Sequence, residues 1–342
     1  MDHRDDPIQP VQTGGKLRVE IFHGFDSVEN EPTSSVTVGS FDGLHLGHQR
    51  IFRLMRKGGA GPVTVVTFNP HPMKVIRPNR TQSSLLTTFE ERIELFSTLK
   101  VDRLIIIPFD KEFAKIKAKQ FVEDILCDTV GMTRIYTGPR HNFGAGGEGD
   151  IDLLRKIGEN REFDVEVVEA VSRWGQKISS HHTRQVLLEG DVLSAWRFLN
   201  RPFYINGKVI KGDGRGQKFG VPTANLTTDN CGKINLPGGV YATIAELGGF
   251  RYPSVSHFGK RPMFPNATPS IETHIIGFDR DIYGKKIKIG LIDRLRDSGR
   301  FPSVEELVRQ LHQDRKDAIR RLAELGFDQD ARLRQQRYGK MD

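Results

Sequence analysis

The hydrophobic pattern of this 342-residue chain changes period near Asn200, and that change asks for two folds on one polypeptide. Before it, short apolar runs alternate with amphipathic helical stretches. Ser35–Gly39, Val63–Phe68, Leu104–Pro108 and Arg134–Thr137 read as strands. Gly47–Lys57, Glu90–Leu99 and Ala118–Cys127 read as helices, with Ile93 and Phe96 spaced for one buried face. The β-branched run in Val63–Phe68 suits a strand buried on both faces, and strand–helix alternation implies a parallel sheet covered by helices. After Asn200, five β-rich runs follow one another: Tyr204–Ile210, Gly239–Glu246, Tyr252–Phe258, Ser270–Ile276 and Lys286–Leu291. Gly, Pro and Asn separate them, which predicts a small antiparallel barrel. A charged helix from Ser303 to about Leu325 closes the pattern, with Ser303 as N-cap and Glu306 at capping-box spacing. A connecting helix, Gln185–Leu199, ends at Asn200-Arg201-Pro202. The length suits two domains, expected at 17–186 and 187–330.

Composition narrows the function classes. No run approaches the roughly 20 apolar residues that span a bilayer, and the first 16 residues lack the apolar core of a signal peptide. Cys127 and Cys231 fall in different halves, so two free thiols in a reducing cytoplasm is the simplest reading. The net charge is +8, but bases and acids are interleaved and no nucleic-acid motif accompanies them. Nucleotide phosphates are therefore the expected anionic partners, rather than nucleic acid or a membrane surface. The spacing of His45, His48, His71, His141, His181 and His182 fits no closed four-ligand zinc site.

Two segments carry chemistry. Gly39-Ser40-Phe41-Asp42-Gly43-Leu44-His45-Leu46-Gly47-His48 follows a strand and opens a helix. Gly43 and Gly47 let the backbone approach a ligand, and the helix N-terminus offers N–H groups to a phosphate. His45 and His48 can donate to phosphate oxygens and stabilise charge at an α-phosphorus. A glycine-rich turn with incidental histidines is the plainer alternative. The second segment runs from Gly212 through Arg215, Gly216 and Gly220 to Pro222-Thr223-Ala224-Asn225. Its glycines can curl N–H groups around phosphates. Thr223 and Asn225 offer the oxygen ligands that magnesium prefers. A hairpin loop would explain the glycines but not Pro-Thr-Ala-Asn, and the ending of a Walker loop is missing.

Both segments resemble the bifunctional riboflavin kinase/FAD synthetase family of prokaryotic type. The first matches its Gly-x-Phe-Asp-Gly-x-His-x-Gly-His, and Thr67-Phe68-Asn69-Pro70-His71-Pro72 its Thr-Phe-x-Pro-His-Pro. Leu86-Thr87 with Glu91, Val101-Asp102 and Phe121-Val122 keep the family's order. The second is similar to the riboflavin kinase signature, and Gly239-Val240-Tyr241-Ala242, Arg261-Pro262, Ile271-Glu272-Thr273-His274, Asp281-Ile282-Tyr283-Gly284 and Leu295-Arg296 follow it. The resemblance implies a Rossmann-like α/β nucleotidyltransferase domain followed by a small antiparallel barrel. It implies ATP, riboflavin and FMN as substrates, and Mg2+ as cofactor. Its site residues carry over as Glu272 for the catalytic base, His45 and His48 for adenylyl transfer, and Thr223 and Asn225 for the metal. Gly39, Phe41, Asp42, Gly43, Gly47, Ser179, Ser180, Arg184, Gly212, Arg215, Gly216 and Gly220 are implied at ATP, and Asn69, Asn142 and Arg296 at the flavin.

Four places depart from the family pattern. In Gly138-Pro139-Arg140-His141-Asn142-Phe143-Gly144, Arg140 stands where an acid or amide is usual and His141 replaces an aromatic. In Ile178-Ser179-Ser180-His181-His182-Thr183-Arg184, His181 replaces a threonine. In the second half, His257 stands where Asn is common and Met263 where Thr is. A cation in place of an acid or amide changes the field at a nucleotide site, so slow FMN adenylylation is expected unless Asn142 takes the amide role. Three readings stay open: a bifunctional enzyme, a riboflavin kinase with a degenerate first domain, and a non-catalytic flavin-binding protein.

Overall fold

The computed structural model describes residues 19–31, 34–58, 61–78, 85–212, 214–228, 232–259 and 270–327. Cys231, Arg261-Pro262 and Met263 lie outside that set, as do the side chain of Arg215, the start of the first expected domain and the end of the second. The chain divides into two compact units, Met1–His182 and Thr183–Asp342.

In the first unit, β1 (Glu20–His23) and β2 (Ser34–Val38) precede α1 (Leu46–Gly58). Then come β3 (Val63–Asn69), α2 (Pro72–Ile76), α3 (Phe89–Thr98) and β4 (Arg103–Pro108). Helix α4 (Ala118–Gln120) runs on into a π-helical stretch, Phe121–Thr129, where the sequence predicts plain α-helix. β5 (Met132–Thr137), α5 (Ile151–Arg161), β6 (Asp164–Val167) and the small pair β7 (Ser172–Arg173) and β8 (Gln176–Lys177) follow. Six strands form one parallel sheet in the order β1-β4-β3-β2-β5-β6. The period of two within each strand divides its residues between two cores. Val65, Leu104 and Ile106 join Phe41, Phe52 and Phe96 on one face, while Val66, Ile105 and Ile107 join Phe121, Leu126 and Leu154 on the other. The chain adds β3 and β4 on one side of β2, then returns to place β5 on its other side. Ligands of open parallel sheets bind beyond the strand C-termini at such a reversal, and here the segment leaving β2 is Gly39–His48.

The expected connecting helix is two helices, α6 (Ser180–Leu188) and α7 (Val192–Leu199). Gly190 between them takes φ +83°, and Asp191 starts α7 afresh by accepting a hydrogen bond from the Ser194 amide at 2.9 Å. Asn200, left-handed at φ 56°, closes α7.

The second unit holds β9 (Phe203–Ile210), α8 (Arg215–Lys218), β10 (Ala224–Thr227), β11 (Gly239–Leu247) and β12 (Phe250–Gly259). β13 (Ser270–Ile275), β14 (Lys286–Arg296) and α9 (Val304–Glu324) complete it. The strands close a barrel in the order β10-β13-β12-β11-β14-β9. The sequence reading missed β10 because it is four residues long and its first two, Ala224 and Asn225, belong to the Pro-Thr-Ala-Asn segment, which the glycines before it mark as loop. Val209, Leu226, Ala245, Ile287 and Ile289 fill the interior. The outward residues Ala242, Ile244 and Ile292 pack against Ala318 and Leu322 of α9. Ser303 caps α9 by accepting from the Glu306 amide at 3.2 Å. Among the described residues, no helix is long and apolar enough to cross a membrane.

Candidate active sites

The segment leaving β2 adopts an unusual backbone. Phe41, Gly43 and Leu44 have φ of 48°, 79° and 42°, and two of these are not glycine, a conformation that needs strong local support. Asp42 supplies it. Its carboxylate, 1% exposed, accepts from the amides of Leu86 and Thr87 and from the Thr87 hydroxyl, each at 3.0 Å. Thr87 Oγ1 in turn accepts from Gly43 N at 3.1 Å, and the Ser180 hydroxyl donates to the Asp42 carbonyl at 2.8 Å. Arg92, an arginine on the apolar face of α3, donates to the Ser40 carbonyl at 2.6 Å. Its burial pulls the guanidinium pKa down, with Asp42 opposing the shift. Phe41 is buried against Phe52, Phe96 and the edge of His48. Phe41 and Asp42, expected beside ATP, thus turn their side chains into the protein, leaving backbone groups to face a ligand.

His45 corrects one expectation. Its Nδ1 accepts from the amides of Gly47, at 3.1 Å, and His48, at 3.4 Å. These are the first-turn N–H groups of α1 expected to meet a phosphate, and the imidazole has taken them. An accepting Nδ1 leaves the proton of the neutral ring on Nε2, so the donor on offer here is the ring itself. The rings of His45 and His48 stack at 3.8 Å, 19° from parallel. Gly47 permits this, because a Cβ there would lie 2.9 Å from His45 Cε1.

The remaining predicted residues sit at strand ends, in loops and on α6. Asn69 is exposed at the end of β3, and Gly39 follows β2. Ser179 caps α6 by accepting from the His182 amide at 3.1 Å, and Arg184 lies one turn beyond Ser180 on that helix. Asn142 is exposed, as are Arg140 and His181. His141 stacks on Phe143 at 5.7 Å and 20°, and burial pushes its pKa down to about 4. It is a neutral ring lying where the family pattern has an aromatic.

In the barrel unit, strand register builds the site. Glu272 on β13 pairs with Asn225 on β10 and with His257 on β12; His257 pairs with Val240, and Val240 with Arg296. Directly paired residues point to one side of a sheet, so Arg296, Val240, His257, Glu272 and Asn225 form one transverse row on the barrel's outer face. A pocket opens over this row and is walled by α9, the segment after β14 and the glycine-rich segment with Thr223. Gly212 closes tightly on the row's end: a Cβ there would lie 2.0 Å from Asn225 Nδ2. Gly216 also lines the pocket, and Gly220 takes φ +70° in the turn after α8. The Ser270 hydroxyl donates to Glu272 Oε1 at 2.9 Å and orients the carboxylate. Arg296 donates twice to Asp314 of α9, at 2.8 and 2.7 Å, while His257 Nε2 meets Ser298 Oγ at 2.9 Å.

Sequence reasoning missed Arg92, Asp314 and Ser270. Asp314 had a signal: it lies four and eight residues before Ala318 and Leu322, an acid on an otherwise apolar, buried helix face. Arg92 had a similar one, four residues before Phe96. Ser270 had none, because only strand alternation relates it to Glu272.

Comparison with known proteins joins the two units. The FAD synthetase family model matches residues 27–182, and the riboflavin kinase family model matches 199–322. A Bacillus subtilis bifunctional riboflavin kinase/FMN adenylyltransferase is 33% identical over 320 residues, 90% of this chain and 98% of that one. The chain belongs to that family. The Escherichia coli K12 member of the family is 30% identical over 302 residues, covering 86% of this chain and 96% of its own. A solved Streptococcus pneumoniae structure described as a macrolide-efflux protein matches with a TM-score of 0.78 and 29% identity, covering 87% of this chain and 98% of its own.

Proposed function

We propose that the chain makes FMN from riboflavin and ATP in its barrel unit, and FAD from FMN and ATP in its first unit. The observation that carries the kinase half is the transverse row, which puts Glu272 beside Asn225 and in one pocket with Thr223. Glu272 takes the proton of the riboflavin 5′-hydroxyl as that oxygen attacks the γ-phosphorus, and the bond from that phosphorus to the β,γ-bridging oxygen breaks to release ADP. Ser270 holds one carboxylate oxygen and so aims the base. Thr223 Oγ1 and Asn225 Oδ1 are neutral oxygen donors, which fits magnesium. Bound there, the ion neutralises charge on the transferred phosphoryl group. The backbone of Gly212, Arg215, Gly216 and Gly220 meets the ATP phosphates, and Arg296, braced by Asp314, meets the flavin.

In the first unit, His45 and His48 donate to the α-phosphate of ATP during adenylyl transfer. Gly39, Gly43, Ser179 and Ser180 bind the nucleotide, and Asn69 and Asn142 the flavin. Exposure of Arg140 and His181, and the neutrality of His141, support adenylylation in spite of the altered motifs. Use of ATP as a substrate supports a cytoplasmic location.

Incubation of the purified protein with riboflavin, ATP and magnesium, with the products separated by chromatography, tests both halves. FMN and FAD together are expected. FMN alone leaves a kinase with an inactive first unit, and no product leaves a flavin-binding protein.

A further inference from the structure

His274 lies two residues beyond Glu272 on β13, so both side chains face outward, and both line the pocket. The imidazole is 8% exposed. Its Nδ1 lies 2.8 Å from the carbonyl oxygen of Pro222. A carbonyl can only accept, so Nδ1 carries the proton. Nε2 is buried and makes no hydrogen bond among the described residues. Burial lowers the ring's pKa, the bond to Pro222 opposes that shift, and Arg315 and His312 reinforce it. The ring gives its Nδ1–H to the backbone just before Thr223.

That position matters because of peptide geometry. Proline fixes φ at residue 222. The Pro222–Thr223 peptide is planar, so its C=O and the Thr223 N–H point in opposite directions. Holding the carbonyl at His274 turns the Thr223 amide the other way, toward the glycine-rich segment. There Gly216 waits: a Cβ on it would lie 3.3 Å from Thr223 N and 3.0 Å from Thr223 Oγ1. The Val221 amide also donates to the Gly216 carbonyl at 2.9 Å. The turn carrying Thr223 is thus clamped between the Gly216 backbone and the His274 ring.

We propose that His274 is a positioning residue of the kinase site, whose Nδ1–H sets the Pro222–Thr223 peptide plane and with it the direction in which Thr223 presents its hydroxyl. It touches no reacting atom. The proposal rests on the kinase reading above, in which Thr223 serves the magnesium–nucleotide end of the pocket. The rival role for His274 is volume alone, since a ring of this size also fills space under α9.

Three substitutions in the full chain separate the two roles. Leucine fills space without a donor. Asparagine puts an amide nitrogen near the place of Nδ1, and glutamine carries it out toward Nε2. His274→Leu should weaken Mg·ADP binding by calorimetry about 10-fold or more, and raise the magnesium needed for half-maximal FMN formation similarly. Its kcat should fall ~10²-fold through misplacement of Thr223. Riboflavin affinity, read by flavin fluorescence, and FAD formation from added FMN should stay at wild-type values. His274→Asn should recover most of the loss. Wild-type Mg·ADP affinity in the leucine variant, or equal impairment of the asparagine and leucine variants, overturns the proposal. Should the leucine variant not fold, the amide pair decides: asparagine outperforming glutamine sustains it, and equality overturns it. A wild-type protein that makes no FMN overturns the kinase reading instead, a result visible before any variant is made.

Discussion

The two units assemble their sites from opposite materials. In the first, the site is a contiguous loop at the reversal point of a parallel sheet, and its side chains are largely occupied with holding that loop in shape. Asp42 meets backbone amides, His45 meets the first turn of its own helix, and Ser180 meets the Asp42 carbonyl. In the second, the proposed site is a row of side chains from five strands, all pointing out of the barrel, and those of β11, β12, β13 and β14 line one pocket. A loop site depends on backbone conformation and fails when a strut is cut. A row site depends on register and fails one function at a time. The substitutions below set these two modes of failure against each other.

The largest effect is expected at Glu272. Glu272→Gln should cut FMN formation by ~10²–10⁴, the scale of a lost general base, while melting temperature and FAD formation from added FMN remain as in wild type. An unchanged FMN rate would remove Glu272 from the chemistry. Asp42→Ala should act in the opposite style. It strands buried amide donors, at about 1–3 kcal/mol each, so the first unit should melt earlier and lose FAD formation while FMN formation persists. Thermal melts with both product assays would show it; equal loss of both activities would erase the contrast drawn above.

A smaller effect is expected at Asp314. Asp314→Asn keeps the shape but discharges the partner of Arg296, and should weaken riboflavin binding about 10-fold, on the scale of ~1.4 kcal/mol per decade. Fluorescence titration with riboflavin measures it, and an unchanged affinity would detach Arg296 from the flavin. The smallest effect concerns pH. His141 is held neutral in the fold, with its pKa down from 6.5 to about 4. The unfolded chain therefore takes up this proton first, so the contribution to stability is complete above pH 6.5 and is lost as pH falls toward 4. His141→Phe should flatten the acid-side decline in melting temperature of the first unit between those values. Parallel curves for the two proteins would mean that the folded ring titrates normally.

Most of the first unit's architecture could be read directly, because buried parallel strands announce themselves as unbroken β-branched runs such as Val63–Phe68. β1 and β6 escaped because each is only four residues long, too short for a period to stand out even in β6, which alternates. The barrel's five longer strands were equally plain, yet the relation among residues 225, 257, 272 and 296 was not. It exists only in the pairing of strands, and no local pattern encodes which residue lies opposite which. His45 was found as a functional candidate by its motif, but the role of Nδ1 as the cap of α1 is a matter of rotamer and distance. The split of the connecting helix at Gly190-Asp191 was available: a glycine followed by an N-capping residue is a stop and a start.

The barrel's interior holds four hydroxyls joined in a chain: Thr243 to Ser254 at 2.8 Å, Thr243 to Ser256 at 2.9 Å, and Ser256 to Thr273 at 2.8 Å. All four are fully enclosed. Thr273 sits between Glu272 and His274 but faces the other way, so β13 carries its proposed chemistry on one side and a polar latch on the other. A slip of one residue would send the Glu272 carboxylate into the closed interior and turn the Thr273 hydroxyl out, away from Ser256. Misalignment of the working face is thus penalised from behind it, at a threonine that no substrate touches. Copying the outward row onto another barrel without those enclosed hydroxyls would transplant the reagents and leave behind the device that keeps them in line.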